Sequence, residues 1–177
     1  MDRGTHNALA QLVRQNHEGY RAIITELRRE RGESVEFEME YFEYAFLVAG
    51  VPTIAVAAGA GAAAVGAFIT SKESDFYGTA LLATARDQAD PAAVLDHYTA
   101  LLTRQGDDRQ MSQAFIHASN FFGTGQDPKY LPRPEHVPGA STMQLNVNQL
   151  GVTALDIFAS MVGYKVRDKN LAAHTRK

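Results

Sequence analysis

The stretch AFLVAGVPTIAVAAGAGAAAVGAFITS (residues 45–71) holds no charged side chain over 27 residues, although Glu40 and Glu43 precede it and Lys72, Glu73 and Asp75 follow. As one helix it would be about 40 Å long, against a bilayer core of about 30 Å, so its length permits a membrane span. Gly50-Val51-Pro52 is a natural break, because proline disfavours the helical region for the residue before it. Pro52 then fits best as the first residue of a new helix over Thr53–Ser71.

Small residues recur at every fourth position of that helix in two rows, Ala55, Gly59, Ala63, Ala67 and Ala58, Ala62, Gly66, Thr70. Small side chains let helix backbones approach closely, which marks Ala55, Gly59, Ala63, Gly66 and Ala67 as helix-packing residues. Ala and Gly add little insertion energy, so a membrane span would need a partner helix. The same residues also suit a central helix buried in a soluble bundle. A third reading is enzymatic: Gly59-Ala60-Gly61-Ala62-Ala63-Ala64 matches the G-x-G-x-x-A variant of the dinucleotide fingerprint. The sequence after Ser74 reads as helix after helix and offers no second parallel strand for that fold.

On the N-terminal side, Thr5 can cap a long amphipathic helix with Leu9, Val13, Tyr20, Ile23 and Leu27 on one face, ended by Gly32. Val13, Tyr20, Ile23 and Leu27 are the candidate partner-binding residues of that helix, in a coiled-coil seam or packed on the parent domain. In residues 34–44, Val35, Phe37, Met39 and Tyr41 alternate with Glu36, Glu38 and Glu40, a strand pattern. Helical spacing fits as well, and Glu and Met favour the helix reading adopted here.

Beyond the charge-free run, helices are predicted over Ser74–Ala89, from Asp90-Pro91 to Gly106, and from Asp108 to Gly123. Residues 123–139 contain four prolines and should form an extended arm free of regular structure, with Tyr130 as a partner-binding anchor. A last helix is expected over Met143–Arg167; between Pro138 and Lys165 its only charge is Asp156. The predicted organisation is therefore 1–44, an amphipathic helix and acidic segment; 45–71, the uncharged segment; 72–122, a helical bundle; 123–139, the arm; and 140–177, a C-terminal helix.

The chain has 177 residues, no cysteine and a formal net charge of −3. A disulfide framework and thiolate metal sites are excluded. The acidic balance argues against nucleic-acid binding by bulk electrostatics, and no nucleic-acid partner is expected. The histidines at 6, 17, 97, 117, 136 and 174 form no metal-ligand spacing, and the glutamates of residues 36–43 read as a solvated face. No catalytic residue, cofactor or metal is predicted. The N-terminus has the wrong order for a signal peptide. The expectation is an all-α helical bundle with one Ala/Gly-rich, membrane-grade or core-buried helix. It would serve as a non-catalytic structural or assembly subunit of a membrane-associated or multi-subunit complex, such as a phage or bacterial translocation assembly. It would bind protein subunits as a homo- or hetero-oligomer and touch the membrane through Ala45 to Ser71, with a cytoplasmic N-terminus. The alternatives are a soluble helical interaction domain and a nucleotide-binding enzyme using the Gly59/Gly61 turn.

Overall fold

The protein, seen as a computed structural model, is described over residues 18–29, 36–105, 109–110, 114–124 and 127–168. It is built mainly of strands. A helix α1 (residues 18–29) precedes β1 (Phe37–Ala45), β2 (Ile54–Val56), β3 (Ala63–Ile69), β4 (Asp75–Asp87) and β5 (Tyr98–Arg104). Then follow β6 (Arg109–Gln110), β7 (Ile116–His117), a one-turn helix α2 (Ala118–Phe121), β8 (Lys129–Val137), β9 (Thr142–Gln149) and β10 (Leu155–Asp168).

Two antiparallel sheets result. Sheet A has the order β1-β10-β4-β8, with β2 also on β10, and sheet B the order β3-β9-β5-β6, with β7 also on β5. The pairs β1–β10, β3–β9, β4–β8 and β5–β6 nest the first strand with the last, and so on inward. That wrapping of one long hairpin into two facing sheets is the jelly roll, which covers the inner face of each sheet with the other. Phe46, Ile54, Phe76, Leu81 and Ile157 from the side of sheet A meet Phe68, Leu102, Met143, Leu145 and Val147 from sheet B in one core.

The all-α expectation and the transmembrane helix are therefore corrected. The charge-free run is broken by a tight turn at Val48–Val51, closed by two 3.0 Å backbone hydrogen bonds, and by a second turn around Gly59–Gly61. Its strand parts are the end of β1, β2 and β3. Among the described residues no helix is long and apolar enough to cross a membrane. The predicted helix Ser74–Ala89 is β4, the helix from Asp90 is a loop followed by β5, and the helix from Asp108 keeps only α2 as helix among its described residues. The helix Met143–Arg167 is two strands, β9 and β10, with a turn between them. Residues 37–45 follow the alternation, as a strand. The proline-rich arm is extended as expected but carries β8, an edge strand, where Pro132 and Pro134 can be accommodated.

Helix formation holds for α1. Its Ile23 and Leu27 are buried against Tyr77 and Val166, with Phe37, Met39 and Tyr164 at the margin. These sheet residues lie on the outer face of sheet A, so β4 and β10 are covered on both faces where α1 lies.

Candidate functional site

The outward positions of sheet B stand in rows across three strands. Ile69 lies opposite Thr142; then come Ala67–Gln144–Thr103, Val65–Asn146–Leu101 and Ala63–Asn148–Thr99. The period of two that sends Met143, Leu145 and Val147 into the core sends Thr142, Gln144, Asn146 and Asn148 outward. None of these eleven outward positions on β3, β9 and β5 carries a charge. His117 of β7 extends the Thr99 row, its Nδ1 lying 2.9 Å from Ser119 Oγ.

Apolar surface frames this polar ladder. Val65 and Ile69 are 46% and 66% exposed on the edge strand, and Leu150 and Val152 are 50% and 81% exposed in the turn after β9. That turn is fixed: Leu150 N–H donates to His97 O at 2.9 Å, Gly61 N–H to Gln149 O at 2.8 Å, and the Gln149 side chain to Thr153 O. The turns around residues 57–62, 88–97 and 150–154 therefore gather at one end of the sandwich, and Leu150 continues the outward series of β9. Asn146 Nδ2 donates to Leu101 O and Thr103 Oγ1 at 3.4 Å each, which holds the amide flat in the middle of the face.

Of the two charge-free parts of the sequence, residues 63–69 and 142–149 meet here as β3 and β9. Their outward side chains, a sign of lipid on the helical reading, share one uncharged protein surface. Thr99, Leu101, Thr103, Gln144, Asn146 and Asn148 were not singled out from sequence. The signal was present in the alternation TMQLNVNQ, hidden because Met, Gln and Leu also favour helix.

The predicted helix-packing residues separate. Ala55 is exposed on β2, Gly59 lies in a turn, and Ala63 and Ala67 point outward from β3. Gly66 alone among them faces the core, against Ile54 and Phe46. Gly59 and Gly61 have φ of +114° and +87°, backbone that favours glycine, and β3 follows them. The dinucleotide fingerprint needs a helix N-terminus at that point.

Of the predicted partner-binding residues, Val13 lies outside the described residues, and Ile23 and Leu27 are buried on sheet A. Tyr20 and Tyr130 each lie near Tyr164. Tyr20 packs edge-on to Tyr164 with ring centroids 5.7 Å apart, and Tyr41 does so from the other side at 5.8 Å. Burial raises the phenol pKa of Tyr130, Tyr41 and Tyr164, and the first two also feel Asp127 and Glu43 respectively. Across sheet A, Tyr41, Tyr164, Tyr77 and His136 stand in one row, with His136 stacked on Tyr77 at 4.7 Å.

A cavity of about 480 Å³ lies between α1 and β8, lined by Ile23, Glu26, Tyr77, Arg133, Glu135 and His136. Beside it His136 Nε2 is 3.3 Å from Asp75 Oδ2, while Asp75 Oδ1 accepts from Gly139 N–H at 3.0 Å and Arg104 donates to His136 O at 2.6 Å. These bonds tie the ends of β4, β5 and β8 together, a structural task. Among the described residues no three His, Cys, Asp or Glu side chains are grouped to hold a metal ion.

No protein-family model matches the chain, and no curated protein does. Among solved structures, it is similar to an exo-beta-1,3-galactanase from Phanerochaete chrysosporium, crystallised with galactose. The identity there is 12% and the TM-score 0.29, over 73% of this chain and 27% of that one. It is also similar to dimeric latent PorU from Porphyromonas gingivalis, at 11% identity and TM-score 0.30, over 76% of this chain and 13% of that one. The chain thus spans about a quarter or less of the structures it matches, and likenesses this slight decide neither fold nor function.

Proposed function

We propose that the protein is a non-catalytic assembly subunit, a jelly-roll block that docks onto a neighbouring protein subunit through the outer face of sheet B. The observation that supports this reading is the charge-free ladder of eleven outward positions on three adjacent strands. Protein surfaces ordinarily carry about a quarter to a third charged residues, interspersed, whereas interface cores are depleted of them. An uncharged sheet face that includes Val65 and Ile69 and continues to Leu150 has the composition of a surface that is covered in use.

The absence of native cysteine provides the test. Val65→Cys and, separately, Asn146→Cys are expressed in the cells that encode the protein and labelled with a maleimide, first in gently prepared extract and then after purification and dilution. Slow labelling in extract and fast labelling after dilution is the expected result, with Lys72→Cys fast in both. Equal, fast labelling of all three sites in extract would overturn the assignment of this face as an interface.

A further inference from the structure

Resting on that reading, we propose that the occupant of the face is a second copy of the chain, the two B sheets packing face to face about a two-fold axis that runs along β9 beside Asn146. Three properties of the face lead there.

First, it is electrostatically self-complementary. A charged surface meets its own copy with like charges opposed, a juxtaposition that is destabilising. The polar side chains here are hydroxyls and primary amides, and each of these groups both donates and accepts a hydrogen bond. Thr99, Thr103, Thr142, Gln144, Asn146 and Asn148 can therefore pair with themselves. Among the described residues, Gln144 and Asn148 make no side-chain hydrogen bond, and Asn146 uses only its amide nitrogen.

Second, the two flanks of β9 are complementary in size. An axis along that strand lays β3 over the partner's β5, so Val65 meets the partner subunit's Leu101 and Ala63 and Ala67 face the threonine rows. Small side chains on one flank then oppose longer ones on the other, which suits interdigitation of sheets about 10 Å apart. Asn146, in the middle row, meets its own copy, as a residue on a two-fold axis must.

Third, the area suits a weak, reversible dimer. Three strands about 4.8 Å apart and eight residues long give about 400 Å² of face per copy, so about 800 Å² is buried in total. That lies at the low end for a specific interface, and the dimer is expected to dissociate in the micromolar range.

The test is a charge swap on the purified full chain, read by sedimentation velocity from low to high micromolar concentration. Wild type is expected to pass from monomer to dimer. Asn146→Lys and Asn146→Glu each place like charges at the axis and should shift the midpoint upward by a hundredfold or more, while an equimolar mixture of the two should recover a dimer. Far-UV circular dichroism and the urea midpoint establish that each variant is folded; should Asn146 variants misfold, Val65→Lys with Leu101→Glu repeats the swap across the axis. A wild-type chain that stays monomeric throughout, a dimer indifferent to Asn146→Lys, or folded charge variants that do not recombine would each overturn the proposal. A monomeric wild type whose Val65→Cys is nevertheless protected in extract would assign the face to a different protein and leave the assembly reading standing.

Discussion

Gly66 lies in the middle of β3 with its missing side chain aimed at the core. A Cβ there would sit 2.5 Å from Ile54 Cδ1, 2.8 Å from Ile54 Cγ1 and 3.2 Å from Phe46 Cβ. Ile54 and Phe46 are fully buried, so neither has open space to yield into. Overpacking of this kind costs about 1–3 kcal/mol, offset by about 0.4–1 kcal/mol because alanine restricts the unfolded chain more than glycine does. Gly66→Ala is therefore expected to lower the unfolding free energy by about 1–2 kcal/mol. Ile54→Ala removes both clashing atoms but opens a cavity, a change that costs about 2–5 kcal/mol by itself. In the double variant the new methyl group fills part of that cavity, so the combined loss should fall short of the sum by about 1 kcal/mol or more. The assay is urea unfolding of the four proteins, followed by far-UV circular dichroism because the chain has no tryptophan. An additive cycle would refute the packing of β2 on β3. The test also discriminates folds, since residues 54 and 66 on one helix would be about 18 Å apart and uncoupled.

Leu145, wholly buried at the centre of sheet B, should cost about 2–5 kcal/mol when changed to alanine, whereas Val65→Thr on the outer face of the isolated monomer should stay within about 0.5 kcal/mol, both read from urea midpoints. Gly61 has open space around its Cα, so Gly61→Val should destabilise through backbone strain alone, by about 1–3 kcal/mol, and Gly61→Asn by less, because asparagine tolerates positive φ. Burial raises the phenol pKa of Tyr98, with a further push from Asp96. The unfolded chain then releases this proton at lower pH than the native one, so the associated stability is complete below about pH 10 and is lost as pH rises above it. Absorbance titration of tyrosinate should show a Tyr98 fraction that ionises only with unfolding, absent in Tyr98→Phe. Ile23→Asp should free α1 while leaving the sandwich folded, seen as fast hydrogen exchange confined to residues 18–29, because the α1 cluster is separate from the main core.

The helical seam through Tyr20, Ile23 and Leu27 was legible because a surface helix shows its period locally. So were the break at Gly50–Pro52, which became a turn and a change of direction, and the extended character of residues 129–137. The strands were harder to read. In β4, residues 76–81 are buried on both sides, by sheet B and by α1, so no alternation marks them as strand. Its partners in β10 lie some eighty residues away, and a strand's stability comes mostly from such partners rather than from its own composition. Alanine in β3 misled for a related reason: it favours helix in isolation, yet on the outer face it supplies the small side chains of a flat surface. The strand reading of residues 34–44 was available in the alternation of Phe37, Met39 and Tyr41 with glutamate, and cross-strand pairing with β10 outweighed the helical preference of Glu and Met.

The candidate face was visible in sequence only as two separate absences of charge. Nothing local relates residues 45–71 to 139–155; the register of β3 on β9 does. The most direct measurement is therefore a disulfide trap of that register in the otherwise Cys-free chain. Val65 and Asn146 lie directly opposite one another, with Cβ atoms of such a pair about 4.5–5.5 Å apart, within reach of a disulfide after small adjustment. On oxidation, dilute Val65→Cys/Asn146→Cys should form an intramolecular bond, seen as a mobility shift reversed by reductant, while Val65→Cys/Val147→Cys, whose thiols point to opposite faces of sheet B, should not. Failure of the first pair to close, or equal closure of both, would contradict the pairing of the two charge-free segments and the surface built on it.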